Sequence, residues 1–222
     1  MSTTISKADE FVEMIEFMQP DSVFTQHGVT WEEYEELLDG VGEARSLRVS
    51  YDNGILQIMS PSSKHERLAW LIGQLVGLLS TRLHIRVLYY GSTTMKKQLK
   101  QKGVEPDACF YVQNATLVGT KDELDFNVDP PPDIIVEIDL HHDSLSKFPI
   151  YAALGVPELW HFFGDSLTIY RLEGEQYLPS EASRSLPMLT GSLLTEFLKR
   201  SSKEDQYDIL LAFEEWLKTQ QQ

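Results

Sequence analysis

Apolar residues at Leu68, Leu71, Ile72, Leu75, Val76 and Leu79 recur three and four positions apart, a spacing that lines one helix face. They predict a helix opening at Ser63, where Glu66 completes a capping box. A shorter amphipathic helix is predicted over Lys7–Met18 and stops before Pro20. Another opens at Thr30, with Glu33 as its box partner and Trp31, Tyr34, Leu37 and Leu38 on one side. Alternation in Leu47–Ser50 and Ile55–Met59 around Asp52-Asn53-Gly54 predicts a hairpin, because Asn-Gly suits its tight turn. Further strands are read at Ile85–Tyr90, Thr93–Leu99 and Asp107–Val112, with a turn over Lys100–Gly103.

Asp133–Leu140 is apolar and β-branched almost throughout, as expected of a central strand covered on both faces. After the acidic loop Val118–Pro132, the pattern continues with a helix over Ser144–Leu154 that Gly155 stops. A hairpin (Pro157–Phe163, Leu167–Leu172) and two helices (Ser192–Arg200, Lys203–Thr219) complete the chain. The reading is one α/β (mixed α+β) domain. Residues 1–29 form a helical extension, 30–190 the main body, and 191–222 a helical segment packed on the same body.

Composition narrows the function. The 222 residues carry 19 Lys and Arg against 34 Asp and Glu, a net charge of −15. Such a balance opposes a polyanion partner unless local cations or a metal ion intervene. The best local patch is Lys96, Lys97, Lys100 and Lys102, which a solvated hairpin rim explains equally well. One cysteine excludes an internal disulfide and a multi-cysteine zinc site. The polar N-terminus and the lack of a long apolar run predict a cytoplasmic protein with no membrane partner.

The candidate chemistry lies in Asp107 after Pro106, in Glu137 and Asp139 within the central strand, and in Lys147 on the following helix. Glu137 and Asp139, two apart, leave one face of the strand. Carboxylates converging in a water-poor cleft cannot all remain ionised and unpaired, and the usual compensation is Mg²⁺ or Mn²⁺. Asp107 and Glu137 are therefore read as metal ligands and Asp139 as an auxiliary one. Lys147 would orient a water or stabilise phosphorane charge; alternatively it is a salt-bridge partner of Glu137. His65 is a candidate phosphate or base contact, and Glu66 either a site acid or only a cap. His141-His142-Asp143 is read as a polar turn, Cys109 as core, and the four tryptophans as core or interface anchors. The C-terminal amphipathic helix suggests a homodimer.

Several blocks in order resemble the Uma2 family of endonucleases, abundant in cyanobacteria. They are LRVSY at 47–51, GILQIMSP with His65-Glu66, GSTT at 91–94, GVEPDACFYVQN at 103–114, PPPDIIVEIDL at 130–140 and KFPIYAALGVPELW at 147–160. The resemblance implies a PD-(D/E)XK, restriction-endonuclease-like core and Mg²⁺-dependent hydrolysis of DNA. It assigns Asp107 to the PD acid, Glu137 to the (D/E)XK acid and Lys147 to a lysine displaced onto the next helix. Two departures stand out: Asp139 occupies the usual lysine position, and Gln57 stands where relatives carry Glu. These departures and the acidic balance motivate the alternative of a non-cleaving interaction protein on the same fold. A hydrolase of small phosphate esters would also tolerate the acidity. Alanine at Asp107 or Glu137 is expected to abolish cleavage with little change in melting temperature.

Overall fold

The computed structural model describes residues 11, 14–15, 17–42, 47–141 and 144–220. The helix expected at Lys7–Met18 lies mostly outside them. Val23–His27, within the stretch expected to be helical, is a strand, β1. Its β-branched and aromatic residues fit a ladder, and it pairs antiparallel with the Ile55–Met59 strand. Helix α1 (Trp31–Val41) begins at Thr30, whose hydroxyl accepts the Glu33 amide while Glu33 accepts the Thr30 amide. Strands β2 (Arg48–Asp52) and β3 (Ile55–Met59) form the expected hairpin. Asn53 (φ 46°) and Gly54 (φ 88°) supply the left-handed pair that such a turn requires.

Helix α2 (Ser63–Leu83) is capped by Ser62, whose hydroxyl accepts the His65 amide. The cap therefore sits one residue before the expected one, and Glu66 has no capping role. Strands β4 (Leu88–Tyr89) and β5 (Met95–Lys97) are shorter than their sequence patterns suggested. The presumed turn over Lys100–Gly103 is partly a strand, β6 (Lys102–Val104), reached through a 3₁₀ turn. Its single glycine and lysine hid it from a hydropathy pattern. Strand β7 (Ala108–Tyr111), short helix α3 (Ala115–Val118) and the fully buried β8 (Ile134–Asp139) follow.

A 3₁₀ turn leads into α4 (Phe148–Leu154), which ends at left-handed Gly155 (φ 83°). Strands β9 (Glu158–Phe163), β10 (Ser166–Glu173) and β11 (Gln176–Ser180), then helices α5 (Gly191–Arg200) and α6 (Gln206–Thr219), complete the order. Strand β11 is half-exposed and contains Pro179, which an edge strand tolerates.

Two sheets result. One runs β1-β3-β2-β6-β5, wholly antiparallel; the other runs β11-β10-β9-β8-β7-β4 and is mixed. Strands β8 and β9 are parallel, joined over α4. Alternation along the buried strands splits the second sheet's core. Ala108, Phe110, Ile134, Val136, Ile138 and Trp160 pack toward α2, α5 and α6. Cys109, Ile135 and Leu159 pack toward α4. Ile209, Phe213 and Leu217 of α6 are buried in the first of these clusters, so the face expected to join two chains is covered within the chain. No helix among the described residues is long and apolar enough to cross a membrane.

Gly103 in β6 lies beneath the ring of buried Tyr34, and a Cβ there would overlap the Tyr34 hydroxyl and ring. Gly103→Ala is predicted to destabilise by about 1–3 kcal/mol through overpacking. Gly77→Ala, in open space on α2, should stabilise by about 0.5–1 kcal/mol. Urea unfolding midpoints shifted in opposite directions would bear both out; equal midpoints would refute the clash.

Candidate active site

The β7–β8 register pairs Ala108 with Val136; one step outward sets Asp107 opposite Glu137. The Asp107 amide donates to Val136 O at 3.0 Å, and Asp107 Oδ2 accepts the Ile138 amide at 2.7 Å. The two acids thus face each other across adjacent strands, both buried, on the side covered by α4. Asp139 leaves the same face of β8, is also buried, and lies 2.6 Å from His161 Nε2 on β9. The expected convergence of three carboxylates is present.

Each acid has cations or donors built around it. Arg48, on the face of β2 opposite Val49 and Tyr51, sends Nε to Asp107 Oδ1 at 2.9 Å. Its Nη2 reaches Glu66 Oε1 at 2.8 Å and its Nη1 the Leu47 carbonyl at 3.1 Å. Lys147 Nζ donates to Glu137 Oε2 at 2.8 Å, and the Tyr151 hydroxyl donates to Glu137 Oε1. Lys147 and Tyr151 are four apart, so the start of α4 presents both along one side and clamps the carboxylate. His65 Nε2 stands 3.1 Å from Asp107 Oδ2, off the axis of a full hydrogen bond, and both buried ring nitrogens lack a partner meeting that geometry.

The electrostatics follow from this packing. Burial disfavours the Asp107 carboxylate, yet the His65 contact and charge, with Arg48 and Lys147 behind them, hold its pKa down to about 2. For Glu137 burial dominates. Lys147 opposes it only partly, and the charges of Asp107 and Asp139 push the same way, so its pKa is raised. Burial opposes the charged forms of Lys147 and His65 as well, but their acidic neighbours win and raise both pKa values.

These groups border a cavity of about 270 Å³ between the first sheet and the carboxyl end of β8. Its polar lining includes Arg48, Ser50, Gln57, His65, Asp139 and Lys147. His141 also lines it; His142 and Asp143 lie outside the described residues. Asp107 and Glu137 sit just behind this wall. The carboxylates of Asp107, Glu137, Asp139 and Glu66 outnumber the cations Arg48 and Lys147 among them. Hard oxygens with that excess fit a divalent cation. Mg²⁺ needs only one or two carboxylates if water and phosphate supply the rest. Among the described residues no three His, Cys, Asp or Glu side chains form a ready metal cage, so such an ion would rely on this pair. Each oxygen holding one hydrogen bond keeps a second lone pair.

Sequence reasoning missed Arg48 and Tyr151. The Lys147-x-x-x-Tyr151 spacing signalled the second; nothing local signalled the first, since its partners are 18 and 59 residues away. The lysine patch is largely compensated: Lys96 pairs with Glu35 at 2.8 Å, Lys102 with Asp52, and Lys100 with the Ala153 carbonyl. Cys109 is core, its thiol pushed up to about 12 by burial. Trp31 and Trp160 are buried, whereas Trp70 is exposed on α2.

The Uma2 family model, described as "Putative restriction endonuclease", matches residues 31–201. A crystal structure described as a putative nuclease belonging to DUF820, from Anabaena variabilis ATCC 29413, is similar at 16% identity. That match covers 68% of this chain and 90% of the other, with a TM-score of 0.48. No curated protein matches the chain.

Asp107 supports Arg48, His65 and the Ile138 amide, so the small melting-temperature change expected for its replacement is revised. Asp107→Asn should cost about 3–5 kcal/mol, because a buried guanidinium loses its buried counter-charge and keeps only the half-exposed Glu66. The wild-type contribution of Asp107 is present above its ordinary pKa near 4 and lost as pH falls toward about 2. Denaturant unfolding in metal-free buffer should show stability declining across that window, with a flatter acid limb in Asp107→Asn. Superimposable acid limbs would refute the assignment.

Proposed function

The chain belongs to the Uma2 family, and on that premise we propose that it is an endonuclease hydrolysing DNA phosphodiester bonds with Mg²⁺ or Mn²⁺. The observation that carries the reading is the register-opposed pair Asp107 and Glu137, with Lys147 at 2.8 Å from the latter, behind a polar cavity. Asp107 and Glu137 would hold the ion. When bound, it supplies Lewis-acid polarisation of the phosphate and a lowered pKa for water.

The chain's own groups do the remaining work. The Lys147–Tyr151 clamp fixes the Glu137 rotamer, so its oxygens need no reorganisation. Lys147, which borders the cavity, places an ammonium where negative charge grows on the phosphate. Ser50 and Gln57 offer uncharged polar groups along the same wall. Asp139, held by His161, would serve as an auxiliary ligand and keeps the cavity's inner end acidic. His65 is a candidate phosphate contact and Glu66 a second-rank acid, reaching the site through Arg48.

One observation favours the alternative of a non-cleaving protein on this fold. Both oxygens of Glu137 and both of Asp107 already have partners within the chain.

The deciding experiment is nicking of supercoiled plasmid. Cleavage is expected with Mg²⁺ or Mn²⁺ and none in EDTA. Glu137→Gln and Lys147→Met should each reduce the rate by roughly 10²-fold or more, with circular dichroism unchanged. Nicking that persists in EDTA, or at the wild-type rate in Glu137→Gln, would overturn the reading.

A further inference from the structure

We propose that Arg48 is an exchangeable counter-ion: a phosphodiester entering the cavity takes over its guanidinium, and this exchange opens Asp107 to the cation. The inference deepens the proposed function, because it assigns a phosphate-binding residue to that same site and predicts that phosphate and metal bind in concert.

The geometry supports the exchange at each end. Arg48 borders the cavity while holding Asp107 Oδ1 and Glu66 Oε1. Three of its five N–H groups are occupied, which leaves one donor on each terminal nitrogen. That planar fork matches two phosphate oxygens better than an ammonium does. The Glu66 side chain is 42% exposed, so that end of the Arg48 pair opens toward solvent. His65, buried and bordering the same cavity, has its Nε2 against Asp107 but no hydrogen-bond partner at Nδ1, and offers a second polar contact to the anion.

The charges dictate the coupling. A cation arriving alone meets the Arg48 and Lys147 charges at the carboxylates it needs. A phosphate arriving alone draws Arg48 from Asp107 and leaves a buried carboxylate without its guanidinium partner at 2.9 Å, which is costly. Arriving together, the cation replaces Arg48 on Asp107 while the phosphate replaces Asp107 on Arg48. Each ligand removes the other's penalty, and the coupling is reciprocal.

Mn²⁺ is titrated into the full chain and free ion is read by electron paramagnetic resonance, with and without saturating dimethyl phosphate, an uncleaved phosphodiester. Mn²⁺ should bind about tenfold tighter or more with the phosphate, and the phosphate tighter by the same factor with Mn²⁺. Arg48→Met should bind Mn²⁺ without phosphate as tightly as the wild type does with it, and lose the coupling. Equal Mn²⁺ affinity with and without dimethyl phosphate overturns the proposal, as does undiminished coupling in Arg48→Met. Should that variant fail to fold, the wild-type titrations decide alone. Coupled binding without plasmid cleavage would keep the exchange and retire the nuclease reading. Cleavage with uncoupled binding would do the reverse.

Discussion

A buried cluster of like charge governs this molecule. Asp107, Glu137 and Asp139 face one side of two adjacent strands, where water is excluded and mutual repulsion is strong. The surrounding architecture answers that constraint. Arg48 arrives from the other sheet, Lys147 and Tyr151 from α4, His65 from α2 and His161 from β9. Removing any one compensating group would leave a buried charge or polar atom without its partner, a far larger cost than the loss of a surface ion pair.

The cluster also explains how the two sheets are joined at this end. The Val49 amide donates to Glu105 Oε2 at 2.8 Å, and the Val49 carbonyl accepts the Glu105 amide at 3.0 Å, where the chain leaves β6 for β7. Two residues later Asp107 receives Arg48 from the neighbouring strand β2. The crossing between sheets is therefore tied by side chains as well as by the chain itself. A site assembled this way is preorganised, and its residues serve stability and chemistry together. This is the tension expected where a functional site is built from buried charges.

The acidity of the whole chain fits a device that draws a polyanion by local rather than global charge. With three of the four hairpin lysines engaged by Glu35, Asp52 and a carbonyl, the cations best placed to meet a phosphate are those bordering the cavity. A divalent ion would add to them and relieve the excess of negative charge behind the wall. Long-range repulsion from a net charge of −15 would be screened at physiological salt far more than contacts inside the cavity.

Much of the architecture was legible because it is local. The Asn53-Gly54 turn, the α2 stripe, the uninterrupted β8 and the Gly155 stop each follow from neighbouring residues and dihedral preference. So did the shared face of Glu137 and Asp139, which strand geometry alone requires. β6, β11 and the strand at Val23–His27 escaped, because short or edge strands gain their stability from partners distant in sequence. The fate of Glu66 turned on a single residue: Ser62 rather than Ser63 caps α2, so Glu66 is released to meet Arg48. That Arg48 would reach Asp107 across 59 positions could be decided only by the packing of one sheet against the other. Sequence specifies which charges must be buried; tertiary structure selects the groups that neutralise them, since an ion pair depends on distance in space.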